Sequence, residues 1–207
     1  RLSERGKIMT ETLYEEQDFS GWEFSENQLI GITFRRCRFR SADFGSMELS
    51  SCRFESCDFT AAAFQGVTAR NCAFLNCRFL YANCFAASFE DCKMTGTTFE
   101  DCSCTALRLS CGDWSYTLIH ELDLHGVHLT DTNFEGADLS GANFEKAALT
   151  RCNFRSANLI GASFRNADLR GSCLEKTNLL EMDLKGAKID LEQAVLLAAA
   201  LGAVYVP

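Results

Sequence analysis

The sequence predicts an all-β solenoid. Two periodic sites carry that reading. Every fifth residue from Phe19 to Ile189 is apolar, without a slip in register. Of these 35 positions 16 are Phe and 12 are Leu, and the others are Ala69, Cys84, Met94, Cys104, Trp114, Ile119 and Ile189. The chain has 17 phenylalanines, so composition alone does not produce the pattern. Two residues before each of these positions stands a second site, usually small: Cys37, Ala42, Cys52, Cys57, Ala62, Cys72 and Cys77, then Ala137, Ala142, Ala147, Cys152 and Ala157.

A five-residue period suits neither regular element alone. On a helix, five steps of about 100° rotate the apolar residue by about 140° each time, and no face forms. On a straight strand an odd period sends successive apolar residues to opposite faces. A chain that turns a corner once per repeat removes the conflict. Each repeat then aims one large and one small residue inward. Successive coils stack through backbone hydrogen bonds about 4.8 Å apart, and no repeat is stable by itself.

Stretches such as 137-ADLSGANFEKAAL-149 and 157-ANLIGASFRNADLRG-171 resemble the pentapeptide-repeat family, whose consensus is A(D/N)LXX. The resemblance spans about residues 17–191. It implies a right-handed quadrilateral β-helix with four repeats per coil. The spacing by itself yields a coil without fixing four sides. The columns Cys37, Cys57, Cys77 and Cys52, Cys72, Cys92 fit 20 residues per coil, and Cys37 to Cys52 fits 15. With four sides, nearly nine coils make a rod about 42 Å long.

The elements follow in chain order. Residues 1–16 are expected to be an N-terminal tail and cap, with residues 1–8 an expression remnant and Met9 the natural start. Residues 17–189 form the repeat helix. The pattern weakens over 104–124, where Cys104 replaces a large residue, Leu107 and Leu122 enlarge the small site, and Gly112 adjoins Asp113 and Trp114. No residue is inserted, so the coil is expected to continue there with a local distortion. Residues 190–207 are expected to be a capping α-helix and a short strand. Asp190 with Gln193 reads as a capping box, LEQAVLLAAAL as the helix, and Gly202 as its C-terminal stop.

The twelve cysteines point to reduced thiols rather than a disulfide framework, because eight of them fill the small inward site. The chain shows no signal-peptide segment and no apolar run long enough to span a membrane, and a cytoplasmic location is expected. No Gly-rich phosphate loop, catalytic triad or metal motif is present, and His120, His125 and His128 are expected at the surface. Neither an enzyme, a cofactor nor a metal is expected.

Net charge is −8. Folded at 20 residues per coil, the side bearing Phe39 sums to −4 and the next, bearing Phe44, to −3; the Leu49 side sums to −1 and the Phe54 side to +2. Asp18, Glu23, Asp43, Asp58, Glu100, Asp101, Glu121, Asp123 and Asp138 are the expected partner-binding acids. Such a surface avoids nucleic acid and favours proteins that bind it. Outward apolar residues gather at Leu75, Leu80, Tyr81 and Phe85. At the C-terminal end Ile160, Leu180, Leu196, Leu197, Leu201, Val204 and Val206 are the expected dimer interface.

The ending 183-DLKGAKIDLEQAVLLAAALGAVYV-206 and the WSYT stretch at Trp114 resemble the DNA-gyrase-interacting pentapeptide-repeat proteins of the Qnr and MfpA type. That resemblance implies a DNA-mimicking homodimer, joined through its C-terminal ends, that occupies the DNA-binding saddle of a type II topoisomerase. Many Qnr proteins carry two loops that break the register. This chain has none, which argues against a direct quinolone role. Inhibition of gyrase and protection from another gyrase-targeting toxin stay open. The alternative is an interaction scaffold for a different protein.

Overall fold

A computed structural model of the chain describes residues 5–7, 11–24, 26–204 and 206. Met9, the expected start, lies outside them. The chain divides into two compact units, Arg1–Asp113 and Trp114–Pro207.

From Leu13 onward most strands of the first unit are three residues long and pair in parallel with partners 20 residues away. Gln28–Ile30, Glu48–Ser50, Thr68–Arg70, Ser88–Glu90 and Arg108–Ser110 form a five-stranded sheet, in register as Leu29, Leu49, Ala69, Phe89 and Leu109. Leu13–Glu15, Thr33–Arg35, Arg53–Glu55 and Ala73–Leu75 form a second sheet, in register as Tyr14, Phe34, Phe54 and Phe74. Twenty residues at five per side make four sides, so the coil is quadrilateral. The ladder also begins earlier than residue 17. Tyr14 fills the inward position one repeat before Phe19 and stacks on Phe34 at 5.4 Å.

The corner has a simple cause. Two residues after the inward apolar residue the backbone enters the left-handed region, as at Ser41 (φ 54°), Ser46 (φ 60°) and Ala61 (φ 56°). Ala42 N–H donates to Phe39 O at 3.1 Å, so Phe39–Ala42 is a type II turn, which needs positive φ at its third residue. Meanwhile Phe39 N–H donates forward to Asp58 O at 2.7 Å and Arg38 N–H backward to Gln17 O at 2.9 Å. Each side therefore bonds the coil above and the coil below. At the small inward site before Trp114 only glycine fits. A Cβ on Gly112 (φ +96°) would stand 2.3 Å from Cys92 O.

Stacking by coils aligns identical side chains. Phe39, Phe59, Phe79 and Phe99 lie nearly parallel at successive centroid spacings of 5.0, 4.6 and 4.9 Å. Phe34, Phe54 and Phe74 repeat this at 5.0 and 4.8 Å, and rings on adjacent sides meet edge-to-face, as in Phe54–Phe59 at 5.4 Å. Both arrangements are favourable for aromatic quadrupoles.

The second unit uses the same coil with smaller side chains. Its backbone partners are mostly single bridges, such as Asp123↔Asn143 and Asn143↔Ser163, with one strand pair, His128–Thr130 and Ala148–Thr150. Phe134–Phe154 and Phe144–Phe164 stack at 5.2 and 4.8 Å. Trp114, the largest residue of the register, is fully buried. A short 3-10 turn at Leu179–Glu181 shifts the ladder by one residue, so that Gly161 N–H bonds Glu181 O. The register is restored at Phe164, which bonds Asp183 O. The C-terminal helix runs Leu191–Ala200. Ala203, Val204 and Val206 form no strand, since an edge strand needs a paired neighbour.

Phe59 is fully buried and touches rings on three coils. Phe59→Ala is expected to cost about 3–5 kcal/mol, read as a lower midpoint in denaturant unfolding followed by circular dichroism.

Candidate partner interface

The interior constrains what each outward residue can do, beginning with the small inward site. Cys37, Cys57 and Cys77 each donate Sγ–H to the carbonyl 23 residues earlier, at 3.5, 3.5 and 3.4 Å. Thr97 and Ser172 do the same with hydroxyls, at 2.7 and 2.5 Å. The site takes a small side chain, Ala in many repeats, and Cys, Thr97 or Ser172 standing there reaches that carbonyl. Contact with the thiol one coil on, together with burial, raises the pKa of Cys37 and Cys52, and all twelve cysteines are free thiols.

Six of the nine expected acids precede an inward apolar side chain, and five of these six have a structural task. Asp18, Asp43, Asp58, Asp123 and Asp138 each accept the backbone N–H two residues later, at 3.0, 2.8, 3.0, 3.2 and 3.1 Å. Asx clamps of this kind hold the turn. Where Asn follows one coil on, its amide adds a rung: Asn143 Nδ2 to Asp123 at 2.9 Å and Asn158 Nδ2 to Asp138 at 3.1 Å. Hydrogen bonds from the Ser20 side chain and backbone hold the Asp18 carboxyl below its usual range.

Summing charge by side conceals a row of alternating sign. On the Phe39 side Asp18, Arg38, Asp58 and Arg78 are consecutive bridge partners. Arg38 pairs with Asp18 at 3.1 Å and Arg40 with Asp58 at 2.6 Å. That row is neutral. On the Phe44 side Glu23 and Asp43 are bridge neighbours, but residues 62–66, 82–86 and 102–106 contain no charge. In the first unit Glu100 and Asp101 stand next to each other, and among the described residues neither enters an ion pair. In the second unit Glu121 and Asp123 are exposed, and His120 Nδ1 lies 3.4 Å from half-buried Asp138. His120, His125 and His128 occupy three different sides and do not converge. Among the described residues no group of three or more His, Cys, Asp or Glu could hold a metal ion, and no helix is long and apolar enough to cross a membrane.

The C-terminal end is closed by a polar lock. Asp190 caps the helix by accepting Gln193 N–H at 3.0 Å, and Gln193 Oε1 accepts Asp190 N–H at 3.0 Å. The same two side chains satisfy the last coil. Asp190 accepts Gly171 N–H at 2.7 Å, while buried Gln193 donates Nε2–H to Leu169 O and Ser172 O at 2.5 and 2.7 Å. The capping box was legible in the sequence, but its reach into the coil was not. The helix ends in a Schellman motif, with Gly202 N–H on Ala199 O and Ala203 N–H on Ala198 O at 2.9 Å each. Of the expected dimer residues, Ile160, Leu180, Leu201, Val204 and Val206 are exposed, and Leu196 and Leu197 are half-buried.

The pentapeptide-repeat family pattern matches residues 120–155 and 149–186. Residues 120–186 thus carry the pentapeptide-repeat pattern, and the fold is the pentapeptide-repeat β-helix. This fold is shared with QnrB1, described as a plasmid-mediated fluoroquinolone resistance protein. A trypsin-treated variant of QnrB1 matches with TM-score 0.75 and 22% identity, over 98% of this chain and 99% of that one. Full-length QnrB1 matches with TM-score 0.70 and 21% identity, over 92% and 100%. No curated protein matches the sequence.

The Gly171 and Gln193 N–H groups stabilise ionised Asp190 and lower its pKa. The lock is therefore complete above the unfolded value of about 3.9 and is lost as pH falls through the lowered folded value. Asp190→Ala is expected to cost about 1 kcal/mol at neutral pH. Hydrogen exchange at the Gly171 amide should rise in the variant at pH 7, and in the parent protein only below about pH 4.

Proposed function

We propose that this protein binds DNA gyrase, as a Qnr-like modulator that inhibits the enzyme or shields it from a gyrase-targeting toxin. The observation carrying this reading is the match to QnrB1 along nearly the full length of both chains. The sequence resemblance of residues 183–206 to the gyrase-interacting class supports it. The contact is electrostatic in part: flat sides present Glu23, Asp43, Glu100, Asp101, Glu121 and Asp123 to arginines and lysines that otherwise meet phosphate. Asp18 and Asp58 are engaged by Arg38 and Arg40, and Asp138 lies against His120, so these three carboxylates are less available to a partner.

The protein acts as a homodimer through its C-terminal ends. Leu201, Val204 and Val206 are 71%, 85% and 79% exposed, and apolar surface of that kind gathered at one end of the chain marks an interface. A second reading, a scaffold for another protein partner, is favoured by the neutral Asp18–Arg38–Asp58–Arg78 row, which weakens the likeness to a polyanion.

Two measurements test the proposal. Titrated into a gyrase supercoiling assay, with and without gyrase poisons, the protein is expected to lower supercoiling or to restore it in the presence of a poison. No effect in any arm rejects the gyrase reading. Light scattering of Leu201→Glu/Val204→Glu is expected to give a monomer where the parent gives a dimer. A parent protein that is itself monomeric at micromolar concentration rejects the C-terminal interface.

A further inference from the structure

We propose that the Phe44 side of the first unit, at Tyr81 and Phe85, binds an arginine-bearing segment of a protein partner. Tyr81 is 63% and Phe85 50% exposed. Phe85 is the one phenylalanine of the chain outside the inward register, so the core does not account for it. Tyr81 stands at a corner with φ 56°, where the neighbouring coils place Ala61 and Asp101. The same φ recurs at the other corners, so the corner sets the outward direction of the ring and the ring's exposure is what singles it out.

The surroundings define the partner. The face formed by 62–66, 82–86 and 102–106 is free of charge, which suits a desolvated contact. Two carboxylates stand at its edge. Leu80 is in register with Glu100, and Tyr81 N–H bonds Glu100 O at 3.0 Å, so Glu100 and Asp101 run beside Leu80 and Tyr81 one coil on. Among the described residues neither acid enters an ion pair, whereas Glu90, which also faces outward, is held by Arg70 at 2.8 Å. An exposed ring beside a free carboxylate is the pair a guanidinium takes: its plane lies on the ring while its N–H groups fork onto the acid. An ammonium satisfies the acid but stacks less well. A second copy of this chain does not meet the requirement, because the face carries no arginine and the chain carries net charge −8. The chemistry of the face stands apart from the gyrase reading, and the test separates the two.

Purified DNA gyrase and a synthetic peptide of sequence GRLRG are the two probes. The variants are Tyr81→Asn, Phe85→Ser and Glu100→Gln/Asp101→Asn. All sit outward, and asparagine suits the corner conformation, so melting temperatures should stay near the parent value. With gyrase on a resonance surface, each variant is expected to bind at least about tenfold more weakly than the parent, and Tyr81→Phe to bind like the parent. In nuclear magnetic resonance titrations, GRLRG is expected to shift the amides of residues 80–86 and 100–101, and GKLKG to shift them less. Parent-like gyrase binding by all three variants overturns the face while leaving the gyrase reading intact. A parent protein that does not bind gyrase removes that reading, and the peptide titration then decides: no shift at those amides with millimolar GRLRG, or equal shifts with GKLKG, overturns the proposal.

Discussion

A left-handed backbone residue follows the inward apolar side chain by two positions in repeat after repeat, and the rest of the structure depends on that corner. It appears at glycines such as Gly66 and Gly141, but also at Ser41, Asn71, Asp91, Ala106 and Lys146. An L-residue there carries a conformational cost of about 1–2 kcal/mol. The turn bond, the two ladder bonds per side and the stacked ring beneath offset that cost only when neighbouring coils are in place. The coil is therefore cooperative along its axis: a corner is tolerable because the next coil satisfies it, and the next coil is in register because the corner recurs every five residues.

Once corners recur, identical positions superpose every 20 residues and like meets like. For phenylalanine this is favourable, and rings about 5 Å apart fill the shaft. For the small inward site it selects small side chains, Ala or Cys with occasional Thr or Ser, and the Cys columns reach a carbonyl below. For the outward clamp position it favours Asn above Asp, as at Asp123–Asn143 and Asp138–Asn158, or Arg above Asp, as at Asp18–Arg38. The surface that a partner meets is the remainder after these ladders are satisfied. Glu100, Asp101, Tyr81 and Phe85 belong to that remainder, and Asp58 does not.

The apolar period was legible from Phe19 onward because it is a one-dimensional property, and the side count became legible only through family resemblance, since the spacing admits other coil lengths. The ladder settles it through pairings such as Leu29 with Leu49. Tyr14 was hidden because a lone aromatic before an unpatterned tail gives no period. The acidic face was overstated because a sum over a side ignores which residues are neighbours along it; Arg38 lies between Asp18 and Asp58. Gln193 was visible as half of a capping box, but its donation to Leu169 and Ser172 depends on where the helix lands. The short strand expected after Gly202 needed a partner that a single chain does not supply.

The account's central claim is that 20 residues make one interchangeable coil. Two deletions in the first unit test it directly: residues 57–76, one full coil by the Arg53↔Ala73 register, and residues 57–74, two residues short of it. Circular dichroism with thermal unfolding should show parent-like spectra and a single cooperative transition for the full-coil deletion. The shorter deletion, which turns Phe79 and its successors out of line, should lose the transition. Equal behaviour of the two proteins, folded or unfolded, would contradict the claim.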